Sequence, residues 1–149
     1  MTQNSTLKTF LWFNDGLQAA LLFYKRTFGD GMQVAEEHLN NDNLFTADFL
    51  IYGHEFVGMC TPGGDLFNNS ISLSIQVDGQ GETDRLWSAI TADGAAGRCG
   101  WCTDKWGVSW QVTPYQMRDF VEHLDHAKAE ENWGILRNMT KIQLSDFIA

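Results

Sequence analysis

Residues 70–79 read SISLSIQVDG. Ser70, Ser72, Ser74 and Gln76 alternate with Ile71, Leu73, Ile75 and Val77. A period of two marks a strand with one buried face, so a strand is expected over 70–77, broken at Asp78-Gly79. A helix is expected over roughly 81–92, with Leu86, Trp87 and Ile90 inward and Asp93-Gly94 ending it. Residues 8–16, KTFLWFNDG, repeat this design. Aromatic and apolar residues predict a strand over 8–13, and Asn14-Asp15-Gly16 breaks it. A helix over roughly 16–28 follows, with Leu17, Ala20, Leu21, Tyr24 and Phe28 on one side. Gly29-Asp30-Gly31 stops it. Asn14-Asp15-Gly16 and Asp78-Gly79-Gln80 lie 64 residues apart, and the same offset places Phe23 on Trp87. The chain is therefore an internal repeat of one supersecondary unit.

The remaining segments complete the two units. Strands are expected at 32–38, 44–52 and 55–60, with a turn at Asn40-Asn41-Asp42-Asn43 and a tight turn at Gly53-His54. Residues 61–69 read as a linker. In the second half, 98–103 and 108–113 read as strands joined by Asp104-Lys105-Trp106-Gly107. After Pro114 the chain reads as helical to its end, with Phe120, Leu124, Trp133, Ile135, Leu136 and Met139 as its apolar residues. The expected fold class is α+β: paired βαβββ modules forming curved mixed sheets around a cleft, with C-terminal helices. A single domain spans 1–149, with module 1 at about 7–61, module 2 at about 70–113 and helices at 115–149.

Composition narrows the function classes. The 149 residues carry 10 basic and 19 acidic side chains, a formal net charge of −9, which argues against nucleic acid as a partner. No window of roughly 18 residues is apolar enough to cross a membrane, and residues 1–10 lack the pattern of a secretory signal. A cytoplasmic location is expected. Aromatic residues reach 13%, enough to fill a core and to line a ligand site.

Several groups with chemical potential read as structural. Cys99 and Cys102 form a C-x-x-C on an expected strand, where side chains three apart point to opposite faces; neither a disulfide nor a chelate is expected. Cys60 reads as a packed thiol. His123 and His126 lie on the late helix beside Asp119, Glu122 and Glu130, a solvated polar face. His38 follows Glu36-Glu37 at a strand end and reads as surface. The candidate general bases are Glu55, next to His54, and then Asp48; either needs a substrate proton within hydrogen-bond reach.

Five separated motifs carry a family resemblance: LWFNDGLQAALLFYKRTFGD at 11–30, FTADFLIYGHEF at 45–56, ISLSIQVDGQGETDRLWSAITADG at 71–94, CGW followed by DKWGVSWQVTP at 99–114, and LRNMTKIQLSDF at 136–147. Together they resemble the vicinal-oxygen-chelate superfamily of glyoxalase I, bleomycin-resistance proteins and extradiol dioxygenases. More narrowly they resemble its PhnB-like branch, whose members carry the label 3-demethylubiquinone-9 3-methyltransferase. The resemblance implies paired βαβββ modules and a homodimer. No glycine-rich strand-to-helix turn of the kind that cradles a nucleotide cofactor is found. Gly29-Asp30-Gly31 and the glycines of 93–100 follow helices, and no cofactor is assigned.

The superfamily's enzymes place a divalent metal on His, Glu or Gln ligands, one near the start and one on the last strand of each module. Carried onto this sequence, these positions fall on Lys8 and Ser72, then on Val57 or Met59 and on Gln111. An ammonium has no lone pair, a hydroxyl is a weak ligand and Val57 has no donor. One Gln does not make the three or more protein ligands of a catalytic site, so no metal ligand is assigned. The same alternation puts Lys8, Phe10 and Trp12 on one face, with Ser72, Ser74 and Gln76 on another and Ser109, Gln111 and Thr113 on a third. With Val57 and Met59 they would line the cleft and take a polar small molecule. Two function classes follow: a binding protein, whose net charge suits a cationic ligand, or a metal-dependent isomerase, lyase or dioxygenase.

Overall fold

The computed structural model describes residues 5–122 and 125–149. His123 and Leu124 lie outside the described residues. The chain forms two compact units that divide between Leu66 and Phe67.

In the first unit β1 (Thr9–Phe13) leads into α1 (Leu17–Phe28), and β2 (Met32–Asn40), β3 (Asn43–Ile51) and β4 (His54–Cys60) follow. Their order in the sheet is β1-β4-β3-β2, with β1 parallel to β4 and the other pairs antiparallel. Two-residue turns with positive φ make the hairpins: Asn41-Asp42 (48° and 64°) and Tyr52-Gly53 (49° and 80°). Such turns match the right-handed twist of the strands. The second tight turn thus sits one residue before the expected Gly53-His54.

One side of α1 is buried at Leu17, Ala20, Leu21, Tyr24 and Phe28, as its periodicity predicts. It covers the face formed by Leu11, Phe13, Phe49 and Phe56, all under 9% exposed. Tyr24 stacks on Phe49 at 6.2 Å and Phe49 on Phe56 at 5.1 Å. Burial of each such ring contributes about 1.5–3 kcal/mol. Gly58 on β4 admits the helix closely: a Cβ there would stand 2.6 Å from Leu17 Cδ1. At the helix C-terminus the Lys25 ammonium donates to the carbonyls of Gly29 and Met32, both at 2.9 Å, opposing the negative end of the helix.

The second unit repeats the plan with shorter strands. β5 (Leu73–Val77) leads into α2 (Gly79–Thr91), followed by β6 (Ala95–Ala96), β7 (Trp101–Thr103) and β8 (Ser109–Pro114). The order is β5-β8-β7-β6, again with one parallel pair. Neither sheet is a closed barrel. β5 begins at Leu73 rather than Ser70. Ser70 N–H donates to Asn68 Oδ1 at 2.8 Å, so residues 68–70 form a local turn. Ile71 is consequently 69% exposed instead of buried. Ile75 and Val77 are buried, and α2 lays Leu86, Trp87 and Ile90 inward as expected.

After β8 come α3 (Met117–Val121) and α4 (His126–Asn138). Beyond Asn138 only a short 3-10 turn at Leu144–Asp146 remains, so the chain is not helical to its end. Val121, Leu136, Met139, Ile142 and Phe147 form a separate small core. Polar side chains fasten the segment after Met139. Gln80 donates to the Ile142 carbonyl and receives Leu144 N–H. Lys141 pairs with Asp84. Asn132, fully buried, donates to the Ile148 carbonyl at 2.9 Å and receives Ile148 N–H at 2.8 Å.

The C-x-x-C reading needs a correction. Cys99 is in a turn at φ 55°, not on a strand, while Cys102 is buried on β7. All three cysteines are free thiols. Burial, and next the nearby Asp104 carboxylate, push the Cys102 thiol up to about 12.

Candidate functional site

The face of the first sheet turned away from α1 is built by register. Phe10 lies beside Val57, Val57 beside Asp48, and Asp48 beside Glu36. The next rung runs Trp12, Met59, Thr46, His38. Phe10 and Trp12 are half exposed, and Val57 and Met59 partly buried. One end of the face is thus apolar and aromatic, the other charged. Lys8, just before β1, donates to Asp48 Oδ1 at 3.2 Å. Glu55 shares the face, opposite Leu50. His54 turns elsewhere, its Nε2 lying 2.8 Å from Thr9 Oγ1.

A grouping that sequence reasoning missed completes this face. Glu36, His38 and Asp48 each bring a potential ligand atom, and these atoms lie within 4.8 Å of one another. His38 Nε2 is 3.6 Å from Glu36 Oε1. The reading of His38 as a surface residue holds for its exposure, 55% at the side chain, but not for its company. The i, i+2 spacing of Glu36 and His38 was a visible signal that they share a strand face.

The second sheet offers a different surface. Ser72 Oγ receives the Gln111 amide at 2.8 Å and the Trp101 indole N–H at 3.3 Å. Ser74 and Gln76 are exposed on β5. Ser109 and Thr113 share the alternation with Gln111 but are 4% and 8% exposed. A buried carboxylate shapes the turn before β8. Asp104, 2% exposed, accepts from the Trp106 and Val108 N–H groups and from Trp110 Nε1, each at 3.0 Å.

These side chains do not fit the metal that the superfamily implies. At the early positions Lys8 brings a cation, already placed on Asp48, and the Ser72 oxygen already receives two N–H groups. Val57 offers only hydrocarbon, and Gln111 has turned its NH2 to Ser72. A lone amide oxygen is not a coordination set.

The strand-to-helix turns also bear on the cofactor question. Gly79-Gln80-Gly81 does follow β5 and open α2, a glycine pair that the sequence reading passed over. Its Gly79 N–H is bonded to Gln116 Oε1 at 3.0 Å, and Gln80 holds residues 142–144. The sheet is a four-stranded mixed one rather than the doubly wound parallel sheet that carries dinucleotides.

Two four-stranded mixed sheets, each with a helix on one face and the order first-last-third-second, are the paired modules of the vicinal-oxygen-chelate fold. The sequence model described as "3-demethylubiquinone-9 3-methyltransferase" matches residues 5–113, and the chain belongs to that PhnB-type family. The solved structure of a putative 3-demethylubiquinone-9 3-methyltransferase, PhnB protein, from Bacillus cereus is similar at TM-score 0.65 and 26% identity. The match covers 74% of this chain and 99% of that one. Protein PA1353 from Pseudomonas aeruginosa matches at TM-score 0.57 and 19% identity, over 73% of this chain and 98% of that one. A mutant of the fosfomycin resistance protein FosX from Listeria monocytogenes, complexed with Mn(II) and 1S,2S-dihydroxypropylphosphonic acid, matches at TM-score 0.57 and 17% identity. That match covers 75% of this chain and 93% of that one. At such identities PA1353 and FosX speak for the fold alone. No curated protein matches the chain. No helix among the described residues is long and apolar enough to cross a membrane.

Proposed function

We propose that this PhnB-type protein binds a polar small molecule on the open faces of its sheets, without a metal at the superfamily's ligand positions. The Ser72–Gln111–Trp101 group carries this reading. It sets a hydroxyl and an amide beside an indole ring that is 44% exposed, the mix of few polar groups and aromatic surface that ligand sites use. By itself, the open face of the first sheet offers Phe10, Trp12, Val57 and Met59 as apolar surface, with Lys8, Asp48 and Glu55 as its charged groups. The net charge of −9 favours a cationic ligand. The protein is read as a cytoplasmic homodimer.

Methyl transfer does not suit this chain, since the Gly79 N–H at the strand-to-helix turn is taken by Gln116 and the sheet is not the doubly wound one that carries nucleotides. Metal-dependent isomerase, lyase or dioxygenase chemistry, the rival reading, needs ligands that Lys8, Val57 and Ser72 do not supply. A thermal-shift screen of polar metabolites and cationic drugs, followed by calorimetry, tests the proposal. A stabilising compound whose affinity drops in Gln111→Ala supports it. Stoichiometric metal that is lost in Gln111→Ala refutes it and favours the enzyme.

A further inference from the structure

We propose that Glu36, His38 and Asp48 form a divalent-metal site of the zinc class on β2 and β3, on the opposite side of the sheet order from β1 and β4, where the superfamily's ligands fall. This goes beyond the small-molecule reading and does not depend on it. The donor set is one imidazole nitrogen and two carboxylates, a combination that binds zinc and related ions. The ladder fixes its frame. Glu36 stands directly opposite Asp48, and His38 lies two residues along on the same face. The three donor atoms lie within 4.8 Å of one another. Tetrahedral zinc wants its ligand atoms ~3.4 Å apart, a gap that modest side-chain rotation closes.

Two further features point the same way. The β2–β3 ladder shifts register between Val34 and Glu36 and again between His38 and Leu39. Such irregularities re-aim side chains and cluster near functional sites, and here they bracket the proposed ligands. The position also already attracts a cation, since the Lys8 ammonium sits 3.2 Å from Asp48 Oδ1. Lys8 is then a tethered competitor: a metal ion must displace it from Asp48, and removing its charge should tighten metal binding. Three protein ligands would leave coordination open for water or for a ligand resting on the Val57 and Met59 side of the face.

The test titrates zinc chloride calorimetrically into full-length protein that has been stripped with chelator and dialysed. The expected result is one equivalent of zinc. Affinity should fall on the order of tenfold or more in both His38→Ala and Asp48→Asn. It should rise several-fold in Lys8→Met and stay unchanged in Gln111→Ala. Both weakened positions are on an open strand face, so circular dichroism should show native folds. Wild-type protein that takes up no zinc at millimolar concentration overturns the proposal. So does uptake that survives both His38→Ala and Asp48→Asn, which would place the ion on the thiols or elsewhere. A Lys8→Met variant that binds zinc more weakly than wild type also overturns it.

Discussion

The Gln111 amide donates to Ser72 Oγ at 2.8 Å, joining β8 to the residue just ahead of β5. The first-sheet counterpart of Ser72 is Lys8, 64 residues earlier, and Lys8 instead reaches Asp48. One repeat thus neutralises a carboxylate where the other builds a neutral hydrogen-bonded pair. Gln111→Ala removes a bond at a half-buried position and should cost about 1 kcal/mol, read as a lower urea midpoint with an unchanged slope. A variant as stable as wild type would show that the pair contributes nothing to stability.

Asp104 should be far less tolerant. Asp104→Ala leaves the Trp106, Val108 and Trp110 N–H donors without their shared acceptor. Loss of buried charge-assisted bonds predicts destabilisation of about 3 kcal/mol or more. Asp104→Asn keeps an acceptor and should lose less. Urea denaturation that finds the alanine variant within about 0.5 kcal/mol of wild type would contradict this account.

The thiols should divide by environment. Cys102, raised to about 12 by burial and by Asp104, stays protonated and covered. It should resist a thiol reagent at mildly alkaline pH while Cys60 and Cys99, both partly exposed, react. Denaturation should then release the third equivalent. Two fast equivalents rising to three is the expected count; a total of one would mean that a disulfide has formed.

Acid should loosen the second unit. Hydrogen bonds from Lys141 and then Gln80 hold the Asp84 carboxyl below its ordinary value of 3.8, and Arg85 does the same for Glu82. Because the folded values are depressed, their stabilisation is complete above the ordinary values. It disappears as pH falls through the folded ones. Both groups are near the surface, so the effect is modest and screened by salt. Melting temperature measured down to about pH 3 should drop less steeply in Lys141→Met than in wild type. Parallel curves would remove Asp84 from the acid response.

Self-association is the remaining expectation. Trp133 on α4 is 43% exposed although Leu136, one turn on, is buried. Sedimentation equilibrium at micromolar concentration should give twice 16.8 kDa, and Trp133→Glu should return the monomer mass. Wild-type protein at the monomer mass would end the homodimer reading.

The repeat was legible because β1, α1, β5 and α2 each obey a simple period bounded by Asn, Asp and Gly. Where periodicity thinned, the reading slipped. Ile71 keeps the alternation of its neighbours, yet a turn closed by Asn68 ends the strand before it. β6 has two residues, too few to show any period. The tail after Asn138 contains apolar residues at helical spacing, but Gln80 and Asn132 draw its backbone out by bonding it from far away in sequence. The open faces holding Lys8, Phe10, Trp12 and Gln111 could be listed from alternation. The Glu36–His38–Asp48 group could not, because Asp48 joins it only through a strand register with two shifts.

The fastening of residues 142–148 by Gln80 and Asn132 also sets an order of events on the ribosome. The first unit's sheet has all of its strands once residue 60 has emerged. The second cannot close in the same way. The Asn132 amide can donate to the Phe120 carbonyl early, but its Oδ1 waits for Ile148 N–H, and the small core of Val121, Leu136 and Ile142 lacks Phe147 until then. Until residues 142–148 have emerged the nascent second unit therefore exposes apolar surface, the interval in which chaperones act and misassembly competes with folding.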